Sequence, residues 1–223
     1  MATNLNLEEQ DQLDALKHFW SRFGGLISTV LLLVVLGLAG WNGYRFWQAR
    51  QASQASAMFD EVERAAGASD LVLAQRAFDD MKQRYASTSY APQAGLLVAK
   101  LAIDGGKDDA TTTASAALQW VADNASDEGY RAIAALRLSA LMMEAKQYEQ
   151  AQKTLEAVRA EAFMGLIQDR MGDLYAVQNK PAEAKAAYLK AFASMDVESE
   201  YRRLIKIKLN ALGVEPPAAA GAG

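Results

Sequence analysis

From Phe23 to Tyr44 the chain carries no charged residue, the arginines at 22 and 45 standing at the two ends. No other feature constrains the fold so strongly. A bilayer core about 30 Å thick needs about 20 consecutive apolar residues in a helix, and this run is just long enough. Ten of the thirteen residues from Leu26 to Leu38 are Leu, Ile or Val. Each contributes about −0.3 to −0.6 kcal/mol to insertion, so together they favour it by roughly 3–6 kcal/mol with no charge to offset them. Trp20 and Phe23 at one end, and Trp41, Tyr44, Phe46 and Trp47 at the other, form two aromatic belts suited to water interfaces.

A cleaved signal peptide is the competing reading, since Gly37-Leu38-Ala39 offers a small-x-small site. The leader argues for an uncleaved anchor. Glu8, Glu9, Asp11 and Asp14 outnumber Lys17 and Arg22, whereas a signal peptide begins positive. Gly37, Gly40 and Gly43 either open a face to another membrane helix or are simply tolerated there. Lys17 and Arg22 on one side balance Arg45 and Arg50 on the other, so the positive-inside rule does not choose an orientation.

Composition excludes several functions. The chain has no cysteine and one histidine, His18, which precedes the apolar run. A triad based on histidine would have to use it outside any folded domain, and zinc sites want several Cys or His ligands. A net charge of −4 does not suit nucleic-acid binding. Asp104-Gly-Gly-Lys-Asp-Asp109 lacks the ligand spacing of a calcium loop and the full pattern of a phosphate loop, and reads as a polar turn. Asp79-Asp80 and Asp127-Glu128 read as solvated or capping acids rather than a hydrolytic pair. Arg202, Arg203, Lys206 and Lys208 form a short basic patch, read as a solvated face. No catalytic, cofactor-binding or metal-ligating residue is expected.

Beyond Trp47, amphipathic segments of helical length alternate with short polar breaks. Helices are expected over about 48–66, 70–86, 92–104, 108–123, 127–144, 147–160, 163–177, 180–195 and 199–212. Ser69 or Asp70 and then Asp127 are expected as N-caps, Pro92 in a first turn and Gly105-Gly106 as a stop. Two helix pairs superimpose at an offset of 33 residues. Leu138-Ser139, Met142, Ala151 and Leu155 match Met171-Gly172, Tyr175, Ala184 and Tyr188. Small residues let the paired helices approach and large ones seal the next interface, so pairs that cannot bury their apolar faces alone stack. Leu101 and Ala110 give a weaker earlier copy. Tyr201–Leu212 suits a terminal cap with a charged outer face, and the tail from Pro216 is of low complexity. The expected fold is all-α: one N-terminal transmembrane helix, then a tetratricopeptide-like helical-hairpin solenoid with a C-terminal capping helix. Its parts are a leader over 1–22, the membrane helix over 23–46, the repeat domain over 47–214 and a disordered tail over 215–223.

The order of these parts carries a family resemblance. The acidic leader with Asp11-Gln12-Leu13-Asp14-Ala15-Leu16-Lys17 precedes Phe19, Trp20, a single membrane helix and the aromatic exit from Trp41 to Trp47. Helix pairs containing Ala132–Leu138 and Asp169–Asp173 follow. The chain thereby resembles the YfgM-type family, ancillary subunits of the SecYEG translocon with a tetratricopeptide-like domain, over about residues 9–214. The resemblance implies a single-pass inner-membrane protein with a cytoplasmic N-terminus and a periplasmic repeat domain. It implies contact with the SecYEG translocon and with periplasmic chaperones, including a membrane-anchored prolyl-isomerase-like protein, and brings no catalytic residue. A long turn around Asn124–Gly129, stretching the spacing between the third and fourth helix pairs, is the departure from the pattern. The expected function is a non-enzymatic scaffold whose concave face binds extended peptide or a partner helix. The alternative is an envelope-assembly or cell-division scaffold with no part in export.

Overall fold

The computed structural model describes residues 7–106 and 109–215; the start of the expected leader, the expected tail beyond Glu215 and the middle of the 104–109 turn lie outside the described residues. Among the described residues there are nine α-helices, one 3-10 turn and no strand. They are α1 (Leu7–Gly67), α2 (Leu71–Arg84), α3 (Tyr90–Gly105), α4 (Ala110–Asn124), α5 (Glu128–Glu144), α6 (Tyr148–Glu156), the turn Glu161–Phe163, α7 (Met164–Val177), α8 (Pro181–Ser194) and α9 (Glu200–Ala211). The chain divides into two compact units at Gln51 and Ala52.

In the first unit, α1 is the one helix among the described residues long and apolar enough to cross a membrane. Leu26 and the apolar residues from Val30 to Leu36 are exposed along it, so no protein core covers them. Two polar side chains of the apolar stretch bond back to the helix's own carbonyls. Thr29 Oγ1 donates to the Gly25 carbonyl at 2.8 Å, and Asn42 Nδ2 donates to the Leu38 carbonyl at 3.0 Å. Such internal pairing is what an apolar solvent demands of hydroxyl and amide groups.

The second unit is a stack of helix pairs. Helix α3 packs on α4, α5 on α6, and α7 most extensively on α8, while α5 also touches α3 and α7. The end of α1 joins through Val62 and Ala65, which share a core with Ala74, Phe78 and Met81 of α2 and Val98 of α3. Local chemistry sets the helix ends. Asp70 accepts from the Leu73 amide at 3.0 Å, and Asp127 accepts from the amides of Gly129 and Tyr130 at 2.8 and 3.2 Å. Both satisfy amides that a helix start leaves unpaired. Among the described residues, three helices end on a left-handed residue that is not glycine: Ser69, Lys146 or Asn179. In each case the following amide bonds back to a carbonyl one turn inside the helix, from Asp70 to Ala65, Gln147 to Met142 and Lys180 to Tyr175.

Packing is close because the contacts are small. Among the described residues, 20 of the 36 buried apolar side chains are alanine. At Gly172 on α7 a Cβ would fall 2.3 Å from the Tyr188 ring of α8, and at Gly95 on α3 one would fall 2.5 Å from Val121 of α4. Only a residue without a side chain permits these helix approaches.

Three expectations need correction. The segment expected as helix over 147–160 leaves its helix at Glu156. Arg159 donates to the carbonyls of Glu156 and Val158, and Val158 and Ala160 turn inward to burial. No long turn occurs at 124–129, because only three residues separate α4 from α5 and Asp127 starts the next helix directly. The cap helix α9 buries Ile205 and Leu209 against Tyr188, Ala191 and Phe192 of α8. Its outer face is mixed rather than simply charged, with Leu204 and Ile207 exposed among the basic residues.

Candidate interaction surface

Helices α3, α5 and α7 lie side by side and together with Leu118 of α4 line an open groove of about 390 Å³. The spacing of residues on two of its walls is the same. Ala99, Lys100, Ile103 and Asp104 come from α3, and Leu136, Arg137, Ala140 and Leu141 from α5. Positions i, i+1, i+4 and i+5 share one helical face, so α3 presents Ala99 and Ile103 beside Lys100 and Asp104, and α5 presents Leu136, Ala140 and Leu141 beside Arg137. Arg170 of α7 completes the lining. Lys100 pairs with Asp104 one turn away on the exposed surface. Among the described residues, Arg137 and Arg170 form no ion pair or side-chain hydrogen bond.

A second cavity of about 440 Å³ lies among α4, α5 and α6. Its charges interleave, Asp123 and Glu128 with Arg131, Lys153 and Arg159. Arg131 donates to the Ala125 carbonyl and Arg159 to two others, so those guanidinium groups are already engaged.

A buried polar cluster joins the last three helices. Asp169 on α7 is only 2% exposed. Lys208 Nζ on α9 donates to both of its carboxylate oxygens, at 2.8 and 2.9 Å, and to Asp173 Oδ1 at 2.7 Å. The Tyr201 hydroxyl donates to Asp169 and the Tyr188 hydroxyl to Asp173, each at 2.7 Å. Burial raises the pKa of both tyrosines, and the negative carboxylates that accept their hydrogen bonds raise it further. All these groups are paired with one another. The cluster therefore fastens α9 to α7 and α8.

The residues weighed from sequence separate accordingly. His18 is exposed on α1. Asp79 pairs with Lys82 at 2.6 Å, Asp80 is exposed, and Asp127 is a cap. The expected basic patch is split: Arg203 and Lys206 face solvent, Arg202 stacks 4.1 Å over the Phe192 ring, and Lys208 turns inward to the aspartates. Sequence reasoning missed the Lys208 cluster. Its one signal was Asp169 and Asp173 sharing a helical face, with Lys208 far away in the chain. Among the described residues no three His, Asp or Glu side chains gather as a metal site.

Comparison with known proteins agrees with this architecture. The model of the tetratricopeptide repeat-like domain family matches residues 17–214. A Neisseria gonorrhoeae protein named ancillary SecYEG translocon subunit is 32% identical over 93% of this chain and 98% of its own length. Proteins of the same name from Haemophilus influenzae and Escherichia coli are 30% and 26% identical, over 93% and 92% of this chain and 98% and 97% of their own. The shared span takes in both the apolar helix and the helix stack, and the chain belongs to the tetratricopeptide repeat-like family of ancillary SecYEG translocon subunits.

Proposed function

We propose that the chain is a single-pass inner-membrane scaffold, ancillary to the SecYEG translocon, that holds other proteins without catalysing a reaction. The observation that carries this is the union in one chain of a helix of bilayer length with a stack of helix pairs. Tethering raises the stack's effective concentration at the membrane, so weak binding suffices for capture. The reading divides the chain into a cytoplasmic leader over 1–22, a membrane helix over 23–46, a periplasmic repeat domain over 47–214 and a tail over 215–223. The repeat domain would link emerging exported proteins to periplasmic chaperones, among them a membrane-anchored prolyl-isomerase-like protein.

Topology and neighbours test this together. The chain lacks cysteine, so Ala2→Cys and Ala218→Cys variants report one site each. An impermeant thiol reagent added to spheroplasts should label the Ala218→Cys variant alone. Labelling of the Ala2→Cys variant alone overturns the export reading. Crosslinking from Gly37→Cys or Gly40→Cys should reach translocon subunits. Adducts confined to cell-wall or division proteins would favour an envelope-assembly scaffold.

A further inference from the structure

We propose that the groove across α3, α5 and α7 docks a partner segment in which apolar side chains alternate with carboxylates, and that Arg137 and Arg170 receive the carboxylates. The inference rests on the scaffold reading and adds the chemistry of what is held. Arg137 and Arg170 occupy equivalent positions 33 residues apart, the offset at which the helix pairs repeat. Both line the same groove, and neither has a partner among the described residues. With Lys100 and Asp104 neutralising each other, the lining carries two uncompensated positive charges in a chain whose net charge is −4. An acidic segment is therefore repelled by the chain's net charge and attracted at this face.

The walls decide the rest. Ile103 is 44% exposed, and Leu136, Ala140 and Leu141 are partly open beside it. A phosphate or a nucleic-acid backbone would match the guanidinium groups and leave these side chains uncovered. A peptide with both apolar groups and carboxylates matches both. Guanidinium binds a carboxylate through two parallel hydrogen bonds, which gives a fixed register as well as attraction. Successive helices supplying equivalent arginines would read carboxylates at successive points along the bound chain.

The test uses the full chain in lipid nanodiscs and a short fluorescent peptide of alternating leucine and glutamate, followed by anisotropy. The peptide should bind, and binding should weaken as salt rises. A leucine–glutamine peptide should bind about tenfold more weakly, and so should the glutamate peptide with an Arg137→Gln/Arg170→Gln variant. Ile103→Asp should weaken binding of the glutamate peptide by a similar factor. Both arginine sites face solvent at least in part, so the double variant should keep the parent circular dichroism and melting temperature. Equal binding of the two peptides, an unaffected double variant, or no binding at the solubility limit overturns the proposal. So does self-association of the chain that the double variant abolishes, which would assign the groove to a second copy. Translocon crosslinking that persists without peptide binding would refute this inference alone. Peptide binding without translocon crosslinking would refute the export reading and spare the groove.

Discussion

Gly172 lies so close to Tyr188 that a methyl group on its α-carbon would stand 2.3 Å from the ring. The two residues define the separation of α7 and α8, the most extensive helix contact in the stack. The Tyr188 hydroxyl is held by Asp173, so the ring has no free direction of retreat.

Gly172→Ala should therefore destabilise the repeat domain, by about 1–3 kcal/mol, even though alanine is the better helix former. Thermal unfolding followed by circular dichroism measures it. A Gly172→Ala/Tyr188→Leu double variant should lose less than the two single losses summed, because the clash is shared between the two positions.

The cluster beneath α9 gives a second outcome. Lys208→Met leaves Asp169 buried beside Asp173 with no cation. Removing one partner of a buried pair costs about 3–5 kcal/mol, and the 23% exposure of the Lys208 side chain places this case near the lower end. Lys206→Met, on the exposed side of the same helix, should change stability by less than about 0.5 kcal/mol. Urea denaturation of the two variants under the same conditions makes the comparison. Equal effects would mean that the cluster does not hold the cap.

The raised tyrosine pKa values give stability a direction in alkali. An unfolded tyrosine loses its proton near pH 10, while Tyr188 and Tyr201 keep theirs in the folded chain. Above about pH 10 the unfolded state binds fewer protons, so stability falls as pH rises. Below that pH these two groups contribute no slope. Tyr188→Phe and Tyr201→Phe should each flatten the alkaline decline, read as denaturant midpoint against pH.

Lys146 is a lysine at φ 60°, closing α5 in a conformation that glycine adopts without strain. Lys146→Gly should stabilise the chain by about 0.5–1 kcal/mol. Asn179 closes α7 in the same way at φ 57°. Asparagine tolerates that region better, so Asn179→Gly should gain less. Melting temperatures of the two variants rank them.

The helices were legible because their signals are local. Asp70 and Asp127 precede apolar periodicity and become caps, Gly106 adopts the left-handed conformation that a stop requires, and Gly172 marks a close crossing, against Tyr188. The buried cluster was not legible, because Lys208 and Asp169 stand 39 residues apart and meet only when α9 folds back over α7. Lysine among arginines on a short helix reads as solvated until a carboxylate is placed beneath it. Arg137 and Arg170 were an intermediate case. Their repeat offset was present in the chain, but only packing of α3, α5 and α7 places both on one groove. The early end of α6 was hidden too, since Ala157, Val158 and Ala160 all suit a helix and tertiary burial drew the last two away.

A core built mainly of alanine has a mechanical consequence. Methyl groups have no rotamers, so they cannot absorb a neighbour's change by turning aside. Any enlargement must instead tilt a whole helix, and the tilt accumulates along the stack. The pitch of the array, and with it the spacing at which two guanidinium groups meet an arriving chain, is thus governed by the thickness of single carbon atoms between backbones.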